Sequence, residues 1–255
     1  MFNLPPVLVI SGIDPTNGAG AGRDILTIRE NGCHPLSVPS VLTVQNSMNF
    51  RKSEAVAFDY ISESIELLQK EFQISSIKTG LLPLEREWIS NLTKKIALFN
   101  VPTVIDTVFK ATASNSKELI IPDSYLDFIS GSNKVITPNL KELGQIYLKF
   151  KNSLNSAPEM AEQISKEFGC TVVTTFEGTE PFVAVTTGSK TTKISIELFD
   201  KTRKIHGTGC TFSSALAANL AKKREITKSI KAAADYTLKK IKKSAKYSET
   251  GQYFL

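Results

Sequence analysis

Short apolar runs alternate with segments of helical periodicity along this chain, and that alternation restricts it to a mostly parallel sheet covered by helices. Strands are predicted at Val7–Ser11, Leu36–Val44, Ile74–Lys78, Thr103–Asp106, Lys134–Thr137 and Thr171–Thr175. Two later runs, Phe182–Thr186 and Lys193–Leu198, flank Thr187-Gly188-Ser189-Lys190, a hairpin signal. Helices are predicted at Ala19–Asn31, Phe58–Glu71, Glu85–Phe99, Leu140–Phe150, Pro158–Phe168 and Gly209–Lys222. In a last helix, Ile226, Ile230, Ala234, Leu238, Ile241 and Ala245 recur at three- and four-residue steps and would bury one stripe. No internal repeat or low-complexity linker divides the 255 residues, and Lys149–Asn155 is too short to separate domains, so one domain is expected.

A hydrophobic content of 41% supports a substantial core. No apolar run approaches the ~20 residues of a membrane helix, and Pro5–Ile10 lacks a basic flank, so it reads as a first strand and not a signal peptide. Cys33, Cys170 and Cys210 form no metal-ligand pattern, and their small odd number suits a reducing cytoplasm. The net charge of +6 is local: residues 222–246 hold ten Lys or Arg against Glu225 and Asp235. Such a run reads as the solvated face of a helix, with anion or nucleic-acid binding as the competing reading.

Four segments carry candidate chemistry. In His206-Gly207-Thr208-Gly209-Cys210-Thr211, glycines before a helix can aim free N–H groups at one point and make an anion site suited to a phosphoryl group. A cysteine in that first turn would have its thiolate favoured by the same field, so partial thiolate at neutral pH is expected. The plainer reading is a turn with a small buried cysteine. In Ser11–Gly22, Asp14 follows a strand and either contacts a substrate hydroxyl or caps the next helix. Gln45, at the exit of Val41–Gln45, offers a carboxamide that complements an aminopyrimidine edge, or is simply a turn residue. Asn139 and Glu142 share one face of a helix start, where they either position a hydrated Mg²⁺ or form a capping box.

The order and spacing of these segments resemble the hydroxymethylpyrimidine/phosphomethylpyrimidine kinases, a branch of the ribokinase superfamily. The resemblance rests on Gly12-Ile13-Asp14-Pro15 with Gly18-Ala19-Gly20, on Thr43-Val44-Gln45-Asn46, and on Ile77-Lys78-Thr79-Gly80-Leu81-Leu82. It continues through Val104-Ile105-Asp106-Thr107-Val108 and Ile136-Thr137-Pro138-Asn139-Leu140 to His206–Thr211. The last block is the most specific, because most of the superfamily carries Asp where Cys210 stands.

The resemblance implies a three-layer α/β/α ribokinase-like fold, MgATP as donor, and two successive transfers, to the hydroxymethylpyrimidine and then to its monophosphate. By position it implies that Gly12, Asp14, Ala19 and Gln45 hold the pyrimidine, with Gly80 and Leu81 covering the ring. Cys210 would be the general base, with Gly207, Thr208 and Gly209 as the anion hole. Asp106, Asn139, Glu142, Thr175 and Thr208 would face the nucleotide, Asn139 and Glu142 reaching the metal through water or phosphate. Asp24 and Lys78 lie in motif positions without an assigned role. A homodimer is implied, and no appended thiamine-phosphate synthase-like region is expected.

Departures fall around the loops. The family usually has Gly at Asn17, Met at Leu81, a Lys-Gly-Gly stretch near Phe176-Glu177-Gly178, and Ala-Lys-Ser-Gly where Lys110–Ser114 stands. The competing functions are a vitamin B6 (pyridoxal or pyridoxine) kinase, whose ring has no exocyclic amine for Gln45, and a non-catalytic pyrimidine-binding relative. A nucleic-acid-associated protein is the third, motivated only by the basic C-terminal helix.

Overall fold

The computed structural model describes residues 4–109, 120–176, 182–195, 205–247, 249 and 251–255. In chain order the elements are β1 (Pro6–Ile13), α1 (Gly20–Glu30), β2 (His34–Gln45), β3 (Phe50–Ala55), α2 (Phe58–Glu71), β4 (Ser76–Thr79), α3 (Arg86–Ala97) and β5 (Thr103–Ile105). They continue with α4 (Ser124–Ile129), β6 (Lys134–Ile136), α5 (Leu140–Tyr147), α6 (Ala157–Phe168), β7 (Thr171–Phe176), β8 (Phe182–Thr187) and β9 (Lys190–Ser195). Last come β10 (Ile205–His206), α7 (Thr208–Ala221), α8 (Ile226–Lys242), β11 (Ala245–Lys246) and β12 (Tyr253–Phe254).

Nine strands form one sheet in the order β3-β2-β1-β4-β5-β6-β7-β8-β9. From β2 to β7 every pairing is parallel, while β3, β8 and β9 join antiparallel at the two edges. The period of two in β1 explains the layering. Val7 and Val9 enter one apolar cluster with Val104, Val135, Leu216 and Ile230. Leu8 and Ile10 enter the other with Ile61, Ile89, Phe128 and Ile164. A strand buried on both faces needs no polar alternation, which is why β1 reads as an unbroken apolar run. Helices α1, α7 and α8 cover one face and α2 to α6 the other, giving the expected three layers. Each fully buried aliphatic side chain in β1 contributes roughly 1.5–3 kcal/mol of transfer free energy.

Helix α7 shows no solvent-facing polar stripe beyond its first turn because Ser213 through Ala221 are buried, covered by the sheet, α1 and α8. Its N-terminus is thereby fixed at the carboxyl ends of β1, β4 and β5. In open α/β sheets, ligands bind at this edge.

Several expectations shift. The hairpin turn is only Gly188-Ser189: Thr187 pairs with Lys190, so β9 starts three residues before the predicted Lys193. The hydroxyls of Thr186 and Thr191, 3.0 Å apart, fix that register, and residues 196–198 of the predicted strand lie outside the described residues. Ala245 is not on the buried stripe of α8; it is exposed in β11. Strand β3, helix α4 and the small sheet β10-β12-β11 have no counterpart among the predicted elements. β3 reads Phe-Arg-Lys-Ser-Glu-Ala and lies exposed on the sheet edge, without an apolar face to betray it. The basic excess is partly structural: Lys222 donates to Asn31 O, and Lys240 pairs with Glu30 at 2.6 Å.

Candidate active site

The turn into α7 has the geometry its glycines suggest. Gly207 is left-handed at φ 84°, and a Cβ there would collide with the Gly18 carbonyl oxygen. Only glycine allows the turn to sit this close to the loop after β1. Thr208 and Gly209 follow as the first residues of α7, with Gly209 exposed, so their amides are free of intrahelical partners. Cys210 is partly buried, with the Gly20 backbone amide at the start of α1 and the Asp106 carboxylate beside its sulfur. The starts of α1 and α7 thus lie together beside one thiol.

The thiolate expectation is corrected here. Burial of the thiol, reinforced by the charges of Asp106 and Asp24, pushes the Cys210 pKa well above the ordinary range. Lys78 and the Gly20 amide oppose that rise without overcoming it. Cys210 is a neutral thiol at physiological pH, beside the Asp106 carboxylate.

Beneath Cys210 lies a charged network that joins Asp106 to Lys78 and Asp24, the two residues without an assigned role in the sequence. Lys78 Nζ sits 2.9 and 2.8 Å from the two Asp24 oxygens and 3.7 Å from Asp106 Oδ2, with Lys78 and Asp24 fully buried. Ser214 donates to Asp24 at 2.7 Å and Ser213 to Asp106 at 3.0 Å. Burial alone would lower the Lys78 pKa, but Asp24 above all, then Cys210 and Asp106, hold it above its ordinary value. Burial and the Asp24 charge raise that of Asp106. The sequence signal was a lysine inside an apolar strand.

The expected acceptor residues lie at the carboxyl ends of β1, β2 and β4. Gly12 backs onto the Leu81 side chain, whose carbonyl accepts from Ser40 at 2.6 Å. A side chain at Gly80 would strike Ser11 and crowd Lys78 Nζ. Thr43 donates to Ile13 O at 2.7 Å, tying β2 to the β1 exit. Gln45 ends β2 with its Oε1 buried and unpartnered among the described residues. Asp14 is different: Thr16 N and Oγ1, Ala19 N and His206 Nε2 all donate to its carboxylate, at 2.7–3.1 Å. Desolvation is outweighed by these bonds, and the Asp14 pKa falls to about 2. Its oxygens are committed inside the protein, which corrects the expectation that Asp14 touches substrate and makes it the organiser of the loop that ends at Ala19.

Asn139 and Glu142 form the capping box. Asn139 Oδ1 accepts from Lys141 N and Glu142 N, and Glu142 Oε2 accepts from Asn139 N at 3.0 Å. The amide left on Asn139 is a donor, suited to a phosphate or water oxygen and not to a cation. Glu142 also accepts from Thr107 at 2.9 Å, which brings it to the β5 exit near Asp106. Burial and the Asp106 charge push its pKa up to about 7. Among the described residues no cluster of three or more His, Cys, Asp or Glu is arranged to hold a metal. Thr175 lies in β7 opposite Val183, away from the Lys78 network by three strands of the sheet. Residues 110–114 and 177–178 lie outside the described residues.

Known proteins share this chain's sequence pattern and fold. The family model for phosphomethylpyrimidine kinase matches residues 14–253. The chain belongs to the phosphomethylpyrimidine kinase family. Among its relatives, the hydroxymethylpyrimidine/phosphomethylpyrimidine kinase of Bacillus subtilis is 28% identical over 92% of this chain and 88% of that protein. The chloroplastic thiamine biosynthetic bifunctional enzyme TH1 of Arabidopsis thaliana is also 28% identical, over 90% of this chain, which spans only 45% of that longer enzyme. The fold is shared with Staphylococcus aureus pyridoxal kinase in complex with pyridoxal, at a TM-score of 0.84 and 22% identity over 98% of this chain and 93% of that one. It is shared also with the phosphomethylpyrimidine kinase of Clostridium difficile 630, at 0.73 and 22% over 93% of this chain and 99% of that one.

Against the phosphomethylpyrimidine kinase pattern, one departure now has a physical account. Asn17 occupies a left-handed position at φ 54°, which explains why glycine is usual there and why asparagine substitutes for it.

Proposed function

We propose that this protein transfers the γ-phosphoryl group of ATP to 4-amino-5-hydroxymethyl-2-methylpyrimidine, and then a second one to its monophosphate, in thiamine biosynthesis. The observation that carries this reading is the close approach of the Gly207–Gly209 turn to the Gly18–Gly20 loop that opens α1, with Cys210 at their junction. Phosphoryl transfer needs positioning and charge stabilisation above all, and two helix N-termini with a buried lysine beneath supply both.

In the first transfer the hydroxymethyl oxygen bonds to the γ-phosphorus as the bond to the bridging oxygen breaks, and ADP leaves with that electron pair. The hydroxyl proton passes to Cys210 Sγ while the thiol proton passes to the Asp106 carboxylate beside it. In the second transfer an ionised phosphate oxygen attacks, so no proton need move. Asn139 and Glu142 would face the hydration sphere of a Mg²⁺ arriving with ATP, with Asp106 nearby at the β5 exit. That ion would neutralise charge on the phosphates. Asn139 Nδ2, Thr208 and Thr175 would face the nucleotide.

The unpartnered Gln45 Oε1 favours a ring bearing an amine, which pyridoxal lacks, so the pyridoxal kinase reading ranks second. Gly12, Ala19, Gly80 and Leu81 would surround the ring. Three free cysteines suit a cytoplasmic protein, a single domain is proposed, and a homodimer is the state the family resemblance implies. Among the described residues no helix is long and apolar enough to cross a membrane. A coupled ADP-release assay with the hydroxymethylpyrimidine, its monophosphate and pyridoxal tests the reading. Turnover of the two pyrimidines above pyridoxal is expected; ADP release with pyridoxal alone would replace the reading by its rival, and none with any of them would end it.

A further inference from the structure

We infer that His206 is a positioning residue: through Asp14, and backed by the C-terminal strand, it holds the acceptor loop and the phosphoryl turn in one fixed relation. The inference rests on the proposed phosphoryl transfer and concerns how its two halves are kept in register.

His206 is 2% exposed and Asp14 3%. Their contact, Nε2 to Oδ2 at 2.7 Å, joins segments 192 residues apart in the chain. An ionised carboxylate only accepts, so Nε2 carries the hydrogen. The same Asp14 oxygen accepts from Ala19 N at 3.1 Å, one residue before Gly20, which opens α1 beside Cys210. One carboxylate thus orients the loop that leads to Cys210 from one side, while His206 begins the turn that leads to it from the other.

The packing around the pair leaves no slack. A side chain at Gly18 would overlap the His206 ring and the Phe254 ring, and one at Gly207 would overlap Gly18 O. Phe254 meets His206 edge-on, with ring centroids 5.9 Å apart and planes at 84°, and β12 pairs with β10 at this residue. Gln252, on the same tail, donates through Nε2 to Ser47 O at 2.7 Å, two residues past Gln45. The tail therefore ties the Gln45 loop to the junction where His206 and Asp14 meet. Small misplacements of reacting groups are costly: about 1 Å can reduce a rate ~100-fold. Losing the His206 bond should accordingly slow the transfer more than it weakens either ligand.

The test compares His206→Phe, which keeps the ring contact without the donor, with His206→Gln, whose amide can still reach Asp14. For His206→Phe we expect kcat to fall on the order of 100-fold with the KM for ATP within about threefold, and for His206→Gln most of kcat to be retained. If His206→Phe does not fold, His206→Asn, too short to reach Asp14, takes its place. Amide hydrogen exchange, which needs no turnover, gives the second readout. Residues 14–20 and 206–210 should exchange faster together in the Phe variant and stay protected in the Gln variant. Wild-type kcat, or unchanged exchange in both segments, in the variant lacking the donor would overturn the inference, as would a Gln variant equally impaired in both readouts. If the wild type consumes no ATP, the kinase reading fails and the exchange data alone decide on His206.

Discussion

Lys78 Nζ lies 2.8 Å from Asp24 Oδ2 with both side chains fully buried, directly under the residue that faces the proposed reaction, Cys210. The pair is not simply a stabilising contact, since burying two charges costs much of what their attraction returns. Its value lies in holding positive charge near Asp106 and Cys210.

Breaking that pair on one side strands a charge. Lys78→Met should destabilise the fold by about 3–5 kcal/mol, and adding Asp24→Asn should restore a substantial part of the loss. Chemical denaturation of the two single variants and the double variant checks this; simple additivity would show that the ion pair is not the relevant interaction.

Gly207→Ala should be severe for a backbone reason. A left-handed alanine costs ~1–3 kcal/mol, and its methyl group would also displace the Gly18 carbonyl. Both thermal stability and ADP release should fall, whereas Gly188→Ala, left-handed but with nothing within reach of its Cβ, should lose only stability.

Glu142 gives a pH signature. Its folded pKa is pushed up to about 7 from an ordinary 4.5, so the folded state binds the proton more tightly than the unfolded one. The associated stability is fully present below about pH 4.5 and is lost as pH rises through 7. Without nucleotide, wild-type stability should therefore decline across that window relative to Glu142→Gln, which keeps the cap acceptor, by on the order of 1–2 kcal/mol after discounting for partial exposure. Parallel pH profiles from urea melts would contradict the assignment.

Gln45→Ala should raise the KM for the hydroxymethylpyrimidine about 10- to 100-fold, by removing an acceptor for the ring amine, and leave that for pyridoxal nearly unchanged. Equal losses on both substrates would mean that Gln45 shapes the loop and does not read the amine.

Much of this was legible in the sequence, and the reasons differ by residue. Central strands such as β1 were plain because burial on both faces leaves an unbroken apolar run, and the glycine turns were plain because Gly207 must be left-handed. β3 and α4 were hidden, the one polar on a sheet edge and the other only six residues long. The His206–Asp14 and Lys78–Asp24 pairs join residues 192 and 54 apart, which no local pattern records. The charge state of Cys210 escapes the sequence for the same reason: the helix terminus is local, but the burial that outweighs it, reinforced by Asp106 and Asp24, comes from other elements.

The most direct measurement is product analysis after incubation with MgATP and the hydroxymethylpyrimidine, for the wild type and for Cys210→Ala. The account requires a phosphate monoester on the hydroxymethyl oxygen, with stoichiometric ADP, from the wild type, and a loss of roughly 100-fold or more in the variant. A wild type that binds the pyrimidine yet forms no phosphoester, or a variant with undiminished turnover, would contradict it.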